Sequence, residues 1–142
     1  MSACTDVLSC CGDDHVVIDY DRLFVSGCLR DEAWIFSEDE ADRTLSLALG
    51  EAQAMGLEVD PDRSLHRYSG GERALLACLL VMAAAEVNRI RGLRLLLRNV
   101  VESLSAERRE RLTRALDRRP ELETFIFRNG RAERFCGGSV RP

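Results

Sequence analysis

The chain has 142 residues, 46% of them hydrophobic and 31% charged, with a formal net charge of −4. That composition is ordinary for one globular domain with a modest core. It excludes a membrane span, because the longest wholly apolar run, Ala74 to Ala85, is only 12 residues long. All 20 basic residues are arginine, so no lysine is present anywhere.

Residues 1–14 (MSACTDVLSCCGDD) read as a flexible polar tail. They have no basic n-region and no long apolar h-region, so they do not resemble a signal peptide, and the expected compartment is the cytoplasm. There the six cysteines (4, 10, 11, 28, 78 and 136) are expected to be thiols. His15–Asp19 (HVVID) and Arg22–Ser26 (RLFVS) are predicted as short strands, rich in Val, Ile and Phe, with Tyr20-Asp21 as the turn of a hairpin. Gly27–Glu32 reads as a loop and Ala33–Phe36 as a third short strand. Ser37 is predicted to start a helix, in capping-box spacing with Glu40, and Glu38, Asp39 and Glu40 put negative charge at its positive end. Leu45, Ala48, Leu49, Ala52 and Met55 follow at helical spacing, and Gly56 takes the left-handed position after the helix.

Leu57 to Tyr68 reads as a loop stiffened by Pro61. Ser69 caps the next helix, with a capping box to Glu72, and ALLACLLVMAAA is apolar on every face, as buried helices are. Asn88 to Gly92 breaks it, and Leu93–Leu97 is predicted as a buried strand with Leu95, Leu96 and Leu97 all interior. Ser105 caps a third helix, Ala106 to about Arg118, with Glu107–Arg111 and Glu110–Arg114 in the favourable i,i+4 order. Pro120 stops it. Thr124–Arg128 reads as a strand, and Asn129-Gly130 as a hairpin turn into Ala132–Cys136. The expected fold is a single small α/β domain over residues 15–142, with a central sheet and about three helices.

Charge is unevenly placed. Residues 1–88 carry 17 Asp and Glu against 6 Arg, whereas residues 89–142 carry 7 against 14. The Arg-rich helix, Arg108 to Arg119, has Leu112, Ala115 and Leu116 on one side and Arg108, Arg111 and Arg118 towards the other. Such a face is either solvated or available to nucleic-acid phosphates.

Two segments carry a resemblance to a known family. One is Leu57 through Ser69-Gly70-Gly71-Glu72-Arg73; the other is LRLLLRNVVESLSAERRERLTRAL, Leu93 to Leu116. Together they resemble the signature and Walker B half of an ATP-binding cassette ATPase domain. The SGGER form looks most like the chromosome-maintenance and DNA-repair branch. The resemblance covers roughly residues 55–136. It implies a fold like that half, with Ser69, Gly70, Gly71 and Glu72 contacting in trans the γ-phosphate of an ATP held by another subunit. Physically, glycines at a helix N-terminus let backbone N–H groups approach an anion, and the helix dipole favours negative charge there.

The departures from the family bear on chemistry. The position of its Mg²⁺-holding Asp falls on Arg98, a guanidinium that cannot coordinate a cation, and that of its catalytic Glu falls on Asn99, an amide that cannot act as a base. Its D-loop Asp falls on Ser105, and no GxxxxGK[ST] loop exists. The expectation is therefore a protein that is not an enzyme and has no cofactor: a non-hydrolytic interaction or regulatory protein related to cassette ATPases. Two mechanisms fit. In one the signature loop completes the ATP site of an intact ATPase subunit; in the other only a docking fold survives. The alternative is a small nucleic-acid-binding protein using Arg108, Arg111 and Arg118. Gly71→Glu is expected to leave the fold intact while repelling a phosphate. Cys10, Cys11, His15 and Cys28 match no common zinc spacing, so no metal is expected. Cys78 reads as a core residue; His66 has no evident partner, and Asp13, Asp14, Asp19 and Asp21 read as solvated.

Overall fold

The computed structural model describes residues 15–36 and 38–136. Strand β1 (His15–Asp19) is followed by helices α1 (Leu29–Phe36), α2 (Ala41–Ala54) and α3 (Gly70–Val87). Then come β2 (Arg94–Arg98), α4 (Ala106–Asp117), β3 (Glu123–Arg128) and β4 (Arg131–Cys136). The sheet runs β1-β2-β3-β4. β1, β2 and β3 are parallel, with His15 beside Arg94 and Arg94 beside Glu123, and β4 is antiparallel to β3. The α/β class and the central sheet agree with the sequence reading, but the described residues form four α-helices rather than about three.

The second half follows the expected elements closely. Helix α3 is buried continuously from Ala74 to Ala85, so its lack of an amphipathic stripe matches its central place. Ser69 and Glu72 form the full capping box at its start. Ser105 caps α4 by accepting from Arg108 N–H at 3.2 Å. Asn129 and Gly130 take φ values of 53° and 75°, the pair of left-handed residues a type I′ hairpin turn needs.

The first half requires corrections. Arg22–Ser26 is not a strand and makes no hairpin with β1. Tyr20–Arg22 is instead a single 3₁₀ turn, capped by Asp19, whose carboxylate accepts from Asp21 N–H at 3.0 Å. The N–H groups of Val25 and Ser26, which a strand would offer to a neighbour, go to the buried Glu32 carboxylate at 3.2 and 2.9 Å. Ala33–Phe36 is the end of helix α1, and the predicted loop before it supplies the start. Leu29, Glu32, Ala33 and Phe36 are its buried residues, a helical spacing that the short apolar run obscured. The predicted cap Ser37 lies outside the described residues. Helix α2 starts later than expected, with Glu40 at its N-cap making no side-chain cap bond. Its end is as expected, with Gly56 at φ 81°.

Two side-chain expectations also change. Leu96 does not point into the core: Leu95 and Leu97 are each 1% exposed, while Leu96 between them is half-buried on the opposite sheet face. Arg119, at the end of the Arg-rich segment read as a surface helix, is buried. Its guanidinium bridges Glu51 of α2 at 3.1 Å and Glu86 of α3 at 3.0 Å, pinning the end of α4 to both helices.

Candidate functional site

The parallel strands all end on one edge of the sheet, and segments that follow them meet there. Tyr20 follows β1, and Arg98 and Asn99 close β2, Asn99 in the left-handed region at φ 59°. After them come Val101–Ser103, a 3₁₀ turn, and the first turn of α4. The N-terminus of α3 packs into this group. In α/β sheets the C-terminal edge of parallel strands is where ligand sites gather.

The α3 terminus is built from a reciprocal cap. Ser69 Oγ accepts from Glu72 N–H at 3.1 Å, and Ser69 N–H donates to Glu72 Oε1 at 2.9 Å. The N–H groups of Gly70 and Gly71 have no acceptor among the described residues. They are the free donors of an 18-residue helix, at its positive end. The Cα atoms of both glycines back onto the rest of the chain. A Cβ on Gly70 would lie 1.9 Å from Tyr20 Oη, and one on Gly71 would lie 2.9 Å from the Ser103 carbonyl oxygen. Glycine is thus needed at position 71, where the obstacle is backbone, whereas at position 70 the obstacle is the movable tip of a tyrosine, whatever the free N–H groups bind. The expectation that Gly71→Glu would spare the fold does not hold, because its first carbon collides with backbone.

Arg108 reaches the same place from α4. Its Nη2 lies 3.5 Å from Glu72 Oε2, and its Nη1 is 3.7 Å from where a Gly71 Cβ would be. A cation and two free N–H donors therefore share one end of α3. The other two arginines proposed for nucleic acid are engaged elsewhere. Arg111 donates to Glu107 at 2.7 Å and to the Met55 carbonyl, and Arg118 lies 3.4 Å from Glu51. Arg98 is exposed, and Arg128 lies 4.0 Å from Glu102 on the same edge.

The structure thus brings Ser69–Glu72 together with Arg108, and it separates Arg111 and Arg118 from them. Sequence reasoning missed Tyr20 and Ser103, the residues that the two glycines back onto. No local signal marks either, since each meets the loop only through the parallel crossover. Cys10 and Cys11 lie outside the described residues, and no group of three metal-ligating side chains occurs among those described, His15 and Cys28 included. Burial in α3 pushes the Cys78 thiol up to about 12, consistent with a core residue. No described helix is long and apolar enough to cross a membrane. The sequence matches no family model, and no curated protein matches it.

Proposed function

We propose that this chain is a non-hydrolytic interaction subunit that presents the N-terminus of α3 to an anionic group carried by a partner. The resemblance stated above names the anion as the terminal phosphate of ATP held by an intact ATPase subunit. One observation carries this reading: the free N–H groups of Gly70 and Gly71, beside Arg108, at the strand-end edge of the sheet. The residues closing β2 support the non-hydrolytic part, since Arg98 cannot hold Mg²⁺ and Asn99 cannot take a proton from water.

The test is Arg108→Glu. It reverses the charge at the site and removes one part-exposed ion pair, so the melting temperature should hardly move. Tagged wild-type chain should retain a Walker A-containing ATPase from its source cells only when MgATP or a non-hydrolysable analogue is present, and the variant should not. Retention that ignores nucleotide would overturn the trans reading.

A second reading, the docking module, rests on a different observation. Among the described residues no helix covers the face of the sheet that carries Val17, Leu96 and Phe125, although parallel strands are normally covered on both faces. The nucleic-acid alternative loses support, because Arg111 and Arg118 are engaged by Glu107 and Glu51 away from Arg108 and do not form one basic face with it.

A further inference from the structure

A small apolar cavity of about 110 Å³ lies between β1, the 22–25 segment and α3. Val16 and Ile18 of β1, Phe36 of α1, and Leu80 and Val81 of α3 line it. Val17 and Val25, 49% and 68% exposed, also line it and so form its mouth. The one acid in its wall is Glu32, only 2% exposed. Glu32 is satisfied unevenly. Its Oε1 accepts from Ser26 Oγ at 2.5 Å, Ser26 N–H at 2.9 Å and Val25 N–H at 3.2 Å. Its Oε2 has only the long 3.4 Å approach of the same Val25 N–H. No described cation pairs with it; Arg22 lines the same cavity without coming within ion-pair distance. A buried carboxylate held only by neutral donors, with one oxygen to spare, is incomplete by the general rule that buried charges are paired.

We propose that this cavity binds a primary alkylammonium group on an apolar chain of four or five carbons. The ammonium donates to Glu32 Oε2, and the chain lies against Val16, Ile18, Leu80 and Val81. The volume is below that of an engineered cavity that takes benzene, so the ammonium end lies inside and the end of the chain runs out through the mouth between Val17 and Val25. The charge of Glu32 sets the sign of the head group. The same chemistry is offered by a free amine and by the lysine side chain of a partner. This chain has no lysine to compete for the site.

The test follows the methyl signals of Val16, Ile18, Leu80 and Val81 by NMR in the full chain, titrated with n-pentylamine, with n-pentanol, and with a lysine blocked at both backbone ends. For a ligand of about six heavy atoms, pentylamine should saturate these signals in the millimolar range. Pentanol should bind roughly tenfold more weakly, since it loses the charged hydrogen bond. Glu32→Gln keeps an acceptor for Ser26 and should bring the amine and the alcohol to equal affinity. If that variant unfolds, Ala77→Leu decides: it fills the cavity wall, keeps Glu32, and should abolish amine binding in a folded protein. Blocked lysine binding as well as pentylamine assigns the site to a partner's side chain; pentylamine binding alone assigns it to a free amine. No shift at these methyls, equal affinity for amine and alcohol in the wild type, or unchanged binding in Ala77→Leu would each overturn the proposal.

Discussion

The two faces of the sheet are made from similar residues and have different fates. On the inner face Val16, Ile18, Leu95, Leu97, Thr124 and Ile126 are all buried under the helices. On the outer face Val17 is 49% exposed, and Leu96, Phe125 and Phe127 are half-buried. The outer apolar row is in register from strand to strand, Val17 beside Leu96 and Leu96 beside Phe125. It is edged with charge. Glu123 lies 3.4 Å from Arg94 and 3.0 Å from Arg134, and the Arg134 guanidinium sits 5.3 Å from the centre of the Phe125 ring. The consecutive leucines of β2 show what decides between the faces. Side-chain direction alternates along a strand, so one position changes a core residue into a surface one.

The sharpest way to break this contrast is to put one charge on each face. Leu97→Asp should leave the chain unfolded at room temperature, because it buries a carboxylate without a partner. Leu96→Asp should melt cooperatively and lose no more than about 1 kcal/mol, the scale of substitutions outside the core. Equal loss in chemical denaturation would mean that the outer face is covered in the isolated protein.

Next in size is Gly71→Ala. Its new carbon meets a backbone carbonyl, which cannot swing aside, so a loss of about 1–3 kcal/mol is expected in the same assay. Gly70→Ala meets the tip of a tyrosine instead, and Tyr20→Phe should recover most of its smaller loss. A full-sized loss from Gly70→Ala in the Tyr20→Phe background would show that the packing at this edge is misread.

Helix α3, which lies over the inner face, also predicts a pH effect through Cys78. Its folded value is raised above the free-thiol value of 9.0 to about 12, so the folded state keeps the proton that the unfolded chain releases. Its contribution is complete below pH 9 and is lost as pH rises from there towards 12, by about 1.4 kcal/mol per unit. Cys78→Ala should remove that part of the alkaline slope measured by denaturation at pH 9 and 10. Unchanged slopes would sink the assignment.

Ser69→Ala comes next, at about 1 kcal/mol for the lost cap. The smallest effect belongs to the outer face: Glu123→Gln breaks ion pairs of part-exposed groups and should move the melting temperature little, at no more than about 1 kcal/mol.

The legible and illegible parts of the chain divide along physical lines. From Ser69 onward the elements were readable because each is declared locally: a capping box, an all-apolar helix, a serine cap, an Asn-Gly turn. Before Ser69 the deciding contacts are between segments. RLFVS has strand composition, but Glu32, several residues on, captures its N–H groups. Alternation along β2 is local, but that only the Leu95 and Leu97 face is covered by helices is decided by the fold and not by the strand. The candidate site was half legible. The sequence marked Ser69–Glu72 and Arg108, yet the reason for the glycines lies in Tyr20 and Ser103, which reach the loop only through the fold.

The pairing of β1 with β2 has a consequence for the order of assembly. The β3–β4 hairpin closes across its two-residue turn, and α2 packs on α3 across the 55–69 connection. β1 joins β2 across three intervening helices, with His15 beside Arg94, so its closure carries the largest loop entropy in the sheet. The edge where Tyr20 meets Gly70 is therefore expected to complete last in folding, which pulse-labelled hydrogen exchange of the β1 amides against those of β3 would check. A binder that engages that edge is then expected to raise the exchange protection of the β1 amides, because it favours the state in which β1 is paired.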